Sequence, residues 1–368
     1  MCYVLQDEKL IKIEEKTKIF KYEFLSSYIP MWNKILCGNK RRKRALIDSH
    51  AGTGKVKLND KEIYGSSILF LEKTALKQEL LQFYFIEKDY DKYHTLREII
   101  DNVCEKGFYF PEVYGKKTTV IEKSGLPYEI KVPLYTSKVK RPNPDQIQIL
   151  RGDCVSLIDN ILEEIKDIPA FFFIDPCGKF AWELIEKIGE NRFFDQQGNM
   201  KLNEQGRKID GTELFINFSW EAILRNKNKD EKDKFFQEMY GLNWDGMREA
   251  LKKVKSTKIK NREKFTEYDL YIEVYKEKLQ KYFEYVIEMS IVGVKSEKNP
   301  IYAMIFCSNN EIAKNLYENK EVALNKTKKT YLYLKEKSLN KKEFTYEKYR
   351  AFMQNQKSLD EFFNKEIT

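Results

Sequence analysis

ALIDSHAGTG, residues 45–54, is the stretch on which the fold turns. A short apolar run leads into Asp48, and the glycine-bearing segment Ala51-Gly52-Thr53-Gly54 follows it. An apolar run this short, with no polar alternation, suits a strand buried on both faces. The same grammar recurs downstream. QFYFI (82–86) closes on Glu87, QIQIL (146–150) on Gly152-Asp153, and AFFFI (170–174) on Asp175-Pro176, while ELFINF (213–218) adds a further strand. Helical periodicity fills the intervals at 90–104, 155–166 and up to about 190. Alternating strands and helices predict an α/β fold around a mostly parallel, Rossmann-like sheet. Ligands bind such sheets beyond the carboxyl ends of the strands. Asp48, Glu87, Asp153 and Asp175 each stand just past a predicted strand, and this is the most informative regularity in the chain.

Outward from that core, residues 1–36 read as helical, with Pro30 marking a bend or a second helix start. Residues 107–144 read as a largely irregular insertion with some hairpin character. Residues 220–281 are helical and strongly basic over 252–264, and two β-prone runs at 286–294 and 301–307 make a terminal antiparallel hairpin. The expected organisation is an N-terminal helical segment (1–44), a Rossmann-like domain (45–310) with insertions at about 107–144 and 220–281, and a charged helical extension (311–368). By position, the two insertions are the expected substrate-facing parts.

Composition removes several function classes. The 368 residues are 42% hydrophobic, enough for a sizeable core. No apolar run approaches the roughly 20 residues that span a bilayer, and the charged N-terminus does not read as a secretory signal. Six scattered cysteines without a CxxC pair argue against a zinc ribbon or a disulfide framework and suit a reducing cytosol. With only His50 and His94, a multi-histidine metal site is excluded, and no metal is expected. The net charge of +9 permits an anionic partner without proving one.

Each local motif supports a functional and a bland reading. A Walker A loop fails, because Ser49 stands in place of its first glycine and Val56 in place of the hydroxyl that holds magnesium. A dinucleotide loop, which would make the protein a nicotinamide-dependent oxidoreductase, is weakened at position 57, which is Lys instead of the third glycine. Glu87 suits the two hydroxyls of a ribose, or is a solvated acid at a helix start. Asp153 can accept from an adenine amino group, cap the following helix, or do both. Asp175-Pro176 places an acid over the strand ends, where it can orient a substrate amine; the alternative is a helix cap followed by Pro. His50 suits packing beneath a ligand better than proton transfer, and Cys177 reads as a small packing residue.

The ordered set ALIDSHAGTG, GSSILFLE, FYFIEKD, FFFIDPCG, ELFINF and IYAMIFCSN, over about residues 16–318 and including Lys21, Tyr28 and Trp32, resembles the three-Cys-motif partner (TcmP) family. That family is similar to class I S-adenosylmethionine (SAM) methyltransferases. The resemblance implies SAM as cofactor, with Asp48, His50, Ala51, Gly52 and Gly54 at its methionine end, Glu87 at the ribose and Asp153 near the adenine. Asp175 and Pro176 would face the methyl acceptor. Amino-nitrogen methyltransferases of adenine carry a related Asp-Pro-Pro-Tyr turn; here Gly178 replaces the aromatic residue and His50 the Phe of the first motif. The expected function is methyl transfer to RNA or DNA, held by basic stretches at 40–44, 252–264 and 326–329. The alternative is a SAM-fold binding partner of another protein, for example a radical-SAM protein, that transfers no methyl group. A membrane is not expected.

Overall fold

The computed structural model describes residues 13–37, 43–58, 61–76, 78, 80–121, 127–166, 168–176, 182–202, 206, 211–292 and 300–318. Cys177, Gly178 and the basic stretch 326–329 lie outside them, as do residues 40–42.

Strand β1 (Arg44–Asp48) is buried at every position. It pairs in parallel with β2 (Leu81–Glu87) on one side, Leu46 opposite Phe83, and with β4 (Ala170–Ile174) on the other, Ile47 opposite Phe172. β3 (Ile147–Arg151) extends the sheet beyond β2, and β5 (Thr212–Ser219) extends it beyond β4, both in parallel. β6 (Tyr285–Val292) and β7 (Pro300–Ser308) form an antiparallel pair, and β7 inserts between β5 and β6. The seven-stranded order is therefore 3-2-1-4-5-7-6, with β7 alone running against the rest. This is the Rossmann-like sheet of class I methyltransferases.

Alternate residues of each strand enter opposite cores, as the two-residue period demands. Ala45, Ile47, Tyr84, Ile86, Phe172, Leu214 and Ile216 face one layer, made by α4 (Cys154–Glu164), α5 (Trp182–Phe193), α6 (Trp220–Asn226), α7 (Lys232–Tyr240), α8 (Trp244–Lys260) and α9 (Glu267–Leu279). Leu46, Phe83, Phe85, Phe171, Phe173 and Phe215 face the other, under α1 (Ile13–Cys37), α2 (Ser66–Thr74), α3 (Tyr90–Lys106) and α10 (Glu311–Glu318).

Helix α1 continues through Pro30 instead of restarting there. Its buried face, Phe24, Leu25, Tyr28, Ile29 and Trp32, runs across the proline and is held to the sheet on both sides of it. Phe24 stacks on Phe215 with ring centroids 4.0 Å apart, and Trp32 meets Phe171 edge-on at 6.0 Å. The Tyr28 hydroxyl donates to Glu213 at 2.7 Å, and buried Arg44 donates through Nε to Asn33 at 2.6 Å.

Among the described residues, two hairpins lie outside the main sheet. A short one (Lys55–Leu58 with Lys61–Tyr64) follows the glycine segment and leads into α2, an element that the strand-and-helix pattern does not announce. The insertion is more regular than expected: Phe108–Ile121 pairs with Pro127–Lys140 over the full 14 residues of each strand. Because α3 starts at the acid end of β2, the hairpin after it is rooted at the opposite end of the sheet. Among the described residues, no helix is long and apolar enough to cross a membrane.

The packing of α1 against β5 carries a stability cost that can be measured. Phe24→Ala is expected to destabilise by about 3–5 kcal/mol, because the vacated ring volume cannot collapse between α1 and Phe215. Leu76→Ala, at a side chain 59% exposed, is expected to stay within about 0.5 kcal/mol. Urea unfolding of the two variants measures the difference, and equal midpoints would show that α1 contributes nothing there.

Candidate functional site

All four strand-end acids lie at the same edge of the sheet. Asp48, the last residue of β1, has no exposed surface. Its Oδ2 accepts from the hydroxyls of Ser66 and Ser67 at 2.6 and 3.1 Å, and its Oδ1 from the backbone N–H of His50 at 3.2 Å. Both serines open α2, so a single carboxylate fixes the helix start to the glycine turn. Burial pushes its pKa up to about 6, against the pull of those donors.

The turn itself needs glycine. Gly52 and Gly54 have φ of +62° and +74°, which L side chains rarely adopt. A Cβ on Gly54 would come within 2.8 Å of Leu96 Cδ1, whereas one on Gly52 would meet nothing within 4 Å. Gly54 is thus demanded by packing as well as by φ, and Gly52 leaves open space above the turn. Glu87, ending β2, holds that turn: its Oε2 accepts from Gly52 N–H and its Oε1 from Asp89 N–H, each at 2.8 Å. Backbone bonds from Ala51 N–H to Ile86 O (2.9 Å) and from Gly152 N–H to Glu87 O (3.1 Å) tie the ends of β1, β2 and β3 together.

Asp153 is the N-cap of α4, its Oδ1 accepting from Val155 N–H at 3.0 Å, while Lys88 donates to its Oδ2 at 3.0 Å. Partial burial would raise its pKa, but the lysine and the cap bond together hold it below the usual range. The capping reading is realised, and it leaves the carboxylate at the rim, where Lys88 is 75% exposed.

His50 takes a definable tautomer. The Ser49 hydroxyl lies 2.8 Å from His50 Nδ1 and donates its only proton to Phe173 O at 3.0 Å. Nδ1 must therefore carry the hydrogen and donate to Ser49, which leaves Nε2 as an acceptor. The Cys154 thiol sits 3.8 Å from that nitrogen, and burial pushes the thiol pKa up to about 11, so it remains S–H. Burial pushes the imidazole pKa down despite the surrounding acids, and His50 is a neutral brace beneath the turn.

Asp175 follows β4 directly, and α5 is described from Trp182 onward. Its carboxylate is held from two remote elements. Lys21 of α1 forms an ion pair with Oδ2, its ammonium 5.9 Å from the centre of the Phe173 ring, and Asn217 of β5 donates from Nδ2 to Oδ1 at 2.7 Å. Burial alone would raise the pKa of Asp175, but the Lys21 charge and these bonds hold it below the usual carboxylate range. A carboxylate only accepts, which fixes the Asn217 amide with its nitrogen toward Asp175. The amide oxygen is buried and has no hydrogen-bond partner among the described residues. Pro176 comes next, and 177–181 lie outside the described residues.

Lys21, Asn217, Ser66 and Ser67 belong to this constellation, yet none was a site candidate in the sequence. Two of them leave a trace there. Lys21 sits three and seven positions before Phe24 and Tyr28, a cation in an apolar stripe, and Asn217 interrupts the apolar run ELFINF. The paired serines leave none, because their role depends on Asp48 being buried beside them. Among the described residues, no group of three His, Cys, Asp or Glu side chains could hold a metal ion.

Strand order and strand-end acids together define a class I methyltransferase fold with a glycine-turn cradle. No protein-family model and no curated protein matches the chain. Among solved structures, it is similar to protein LPL1258 of Legionella pneumophila str. Philadelphia 1, described with the family DUF519, at 11% identity and a TM-score of 0.42, over 85% of this chain and 91% of that one. It is also similar to spermidine synthase from Thermotoga maritima (11% identity, TM-score 0.35, 87% and 74% covered). A third similar structure is the methyltransferase domain of bacterial CtHen1 (10% identity, TM-score 0.32, 78% and 99% covered). At such identities and TM-scores these likenesses decide nothing about substrate or activity, and the fold stands on the strand order itself.

The buried carboxylate of Asp48 predicts a pH signature. Its folded pKa of about 6 exceeds the ordinary 3.8, so the folded state holds a proton that the unfolded chain has lost between those values. Stability should therefore fall as pH rises through this window, by roughly 3 kcal/mol at most. Asp48→Asn is expected to abolish that slope. Denaturant unfolding from pH 4 to 7 reads it, and parallel pH profiles for wild type and variant would rule out this origin.

Proposed function

We propose that the protein is a SAM-dependent methyltransferase whose acceptor is an amino nitrogen, carried by a nucleic acid. The observation that carries this reading is Asp175, fixed by Lys21 and Asn217 beside the cradle formed by Gly52, Gly54 and Glu87. The motif order that resembles the TcmP family supports it, and so does the open space above Gly52. SAM, when bound, supplies an electrophilic methyl group. The turn residues His50, Ala51, Gly52 and Gly54 would hold its methionine end, with Asp48 fixing the turn from below. Glu87 would serve the ribose through the lone pairs left after its two backbone bonds, and Asp153 would stand near the adenine.

The chain's own chemistry favours nitrogen over oxygen as acceptor. A hydroxyl must lose its proton to attack, and Asp175, held below the ordinary carboxylate range and engaged by two donors, is a weak base. A neutral amine brings a lone pair already available and needs only orientation. Asp175, oriented by Lys21 and Asn217, can take one of its hydrogens. The free, buried thiols of Cys154 and Cys307 suit a reducing cytosol.

Calorimetric titration with SAM and S-adenosylhomocysteine, against NAD and ATP, tests the cradle. A tritium-methyl assay over RNA, DNA and lysate protein tests the transfer. Glu87→Ala is expected to weaken SAM binding roughly tenfold or more, the scale of losing charge-assisted hydrogen bonds. Asp175→Asn is expected to keep SAM affinity and lose transfer. SAM binding without transfer to any substrate would favour the partner-protein alternative, and no SAM binding would end the methyltransferase reading.

A further inference from the structure

The turn joining α8 to α9 carries an arrangement of charge that the methyl-transfer site does not use. Lys260, Arg262 and Lys264 are exposed there, with Lys252 and Lys255 exposed further back along α8, and none has an acidic partner among the described residues. The acid within the stretch, Glu263, is consumed internally by Lys258 at 3.1 Å and Asn261 at 3.1 Å. Glu267, at the start of α9, is held by Lys227 at 2.5 Å. The remaining charge is therefore uncompensated cation. Lys252, Lys255 and Ile259 stand at i, i+3 and i+7 and share one helix face, with Ile259 58% exposed between the cations. Arg262 has a φ of +58°, rare for a residue with a side chain, at the point where the chain reverses.

Topology puts this tip at the acid end of the sheet. α9 ends just before β6, which runs parallel to β5, so the C-terminus of α9 lies at the opposite end from the acids. Its 13 residues rise roughly 20 Å, which returns its N-terminus to the level of the strand ends. α8 runs antiparallel to it, as the Lys253–Glu277 pair at 3.2 Å shows. Direct contacts agree with this placement. Asn217, which touches Asp175, is followed by Trp220, whose ring meets Tyr268 of α9 at 5.5 Å.

We propose that the α8–α9 tip is the docking surface for the phosphate backbone of the nucleic acid whose base enters the site at Asp175. This inference rests on the nucleic-acid reading of the acceptor and adds the surface and the residues that hold it. Unpaired lysines and an arginine on a helix end are the side chains that neutralise phosphates and release counterions. Lys260, Arg262 and Lys264 stand at the same end of the sheet as the acceptor carboxylate, whereas the long hairpin is rooted at the other.

The test is binding of labelled single-stranded RNA, single-stranded DNA and duplex of each, by fluorescence anisotropy over a salt series. The full chain is compared with a tip variant, Lys260→Gln/Arg262→Gln/Lys264→Gln, and with a control, Lys106→Gln/Lys166→Gln, altered at the far ends of α3 and α4. With one phosphate lost per cation, the tip variant should bind about 50-fold or more weakly at roughly 0.15 M salt. Its log K against log salt slope should be shallower by about 2 to 3, and the control should match wild type. The strand type with the larger loss identifies which nucleic acid docks there. Equal losses in both variants, or poly-glutamate competing as well as RNA and DNA, would overturn the proposal. So would the absence of nucleic-acid binding by wild type; intact SAM binding in the same preparation would leave the methyltransferase reading standing.

Discussion

A carboxylate with no exposed surface at the end of the central strand sets the terms for the rest of the site. Asp48 is surrounded by β1, α2 and the glycine turn, where an unpaired charge would be intolerable. Its donors are the paired hydroxyls at the start of α2 and the backbone N–H of His50. Meeting those needs draws α2 against the strand end and forces the chain after Asp48 into a tight course that only glycines at 52 and 54 can follow. The shape of the cradle is therefore a consequence of satisfying one buried acid.

The second constraint acts across the sheet. Asp175 receives Lys21 from 154 positions earlier in the chain and Asn217 from 42 positions later. The lysine arrives because Phe24, Tyr28 and Trp32 seat α1 on the aromatic face formed by Phe171, Phe173 and Phe215. The N-terminal helix is thus part of the site, and its aromatic packing is what places a cation beside a carboxylate. This ties stability to electrostatics: a change that loosens α1 also alters the charge beside Asp175.

The two ends of the sheet divide the labour. The strand-end acids, the glycine turn and the basic α8–α9 tip share one end. The long hairpin is rooted at the other, after α3 has descended the sheet. Position along the sequence does not distinguish the two insertions, since both interrupt the same strand-helix alternation; only the direction of the element before each one does.

Much of the fold was legible in the chain. Apolar runs at β1, β2, β4 and β5 announce strands because burial on both faces leaves no room for polar alternation. Parallel strands end at one edge of the sheet, so the acids after four of them, Asp48, Glu87, Asp153 and Asp175, are grouped by the sequence alone. What each acid does was decided by tertiary structure. Asp48 and Glu87 spend hydrogen bonds on the turn, Asp153 caps α4, and Asp175 is claimed by Lys21 and Asn217. The continuity of α1 through Pro30, the tautomer of His50 and the membership of Lys21 in the site were likewise settled in space. Periodicity in a sequence reports which face of an element is apolar, whereas the partner of a polar side chain depends on which elements that apolar face brings together.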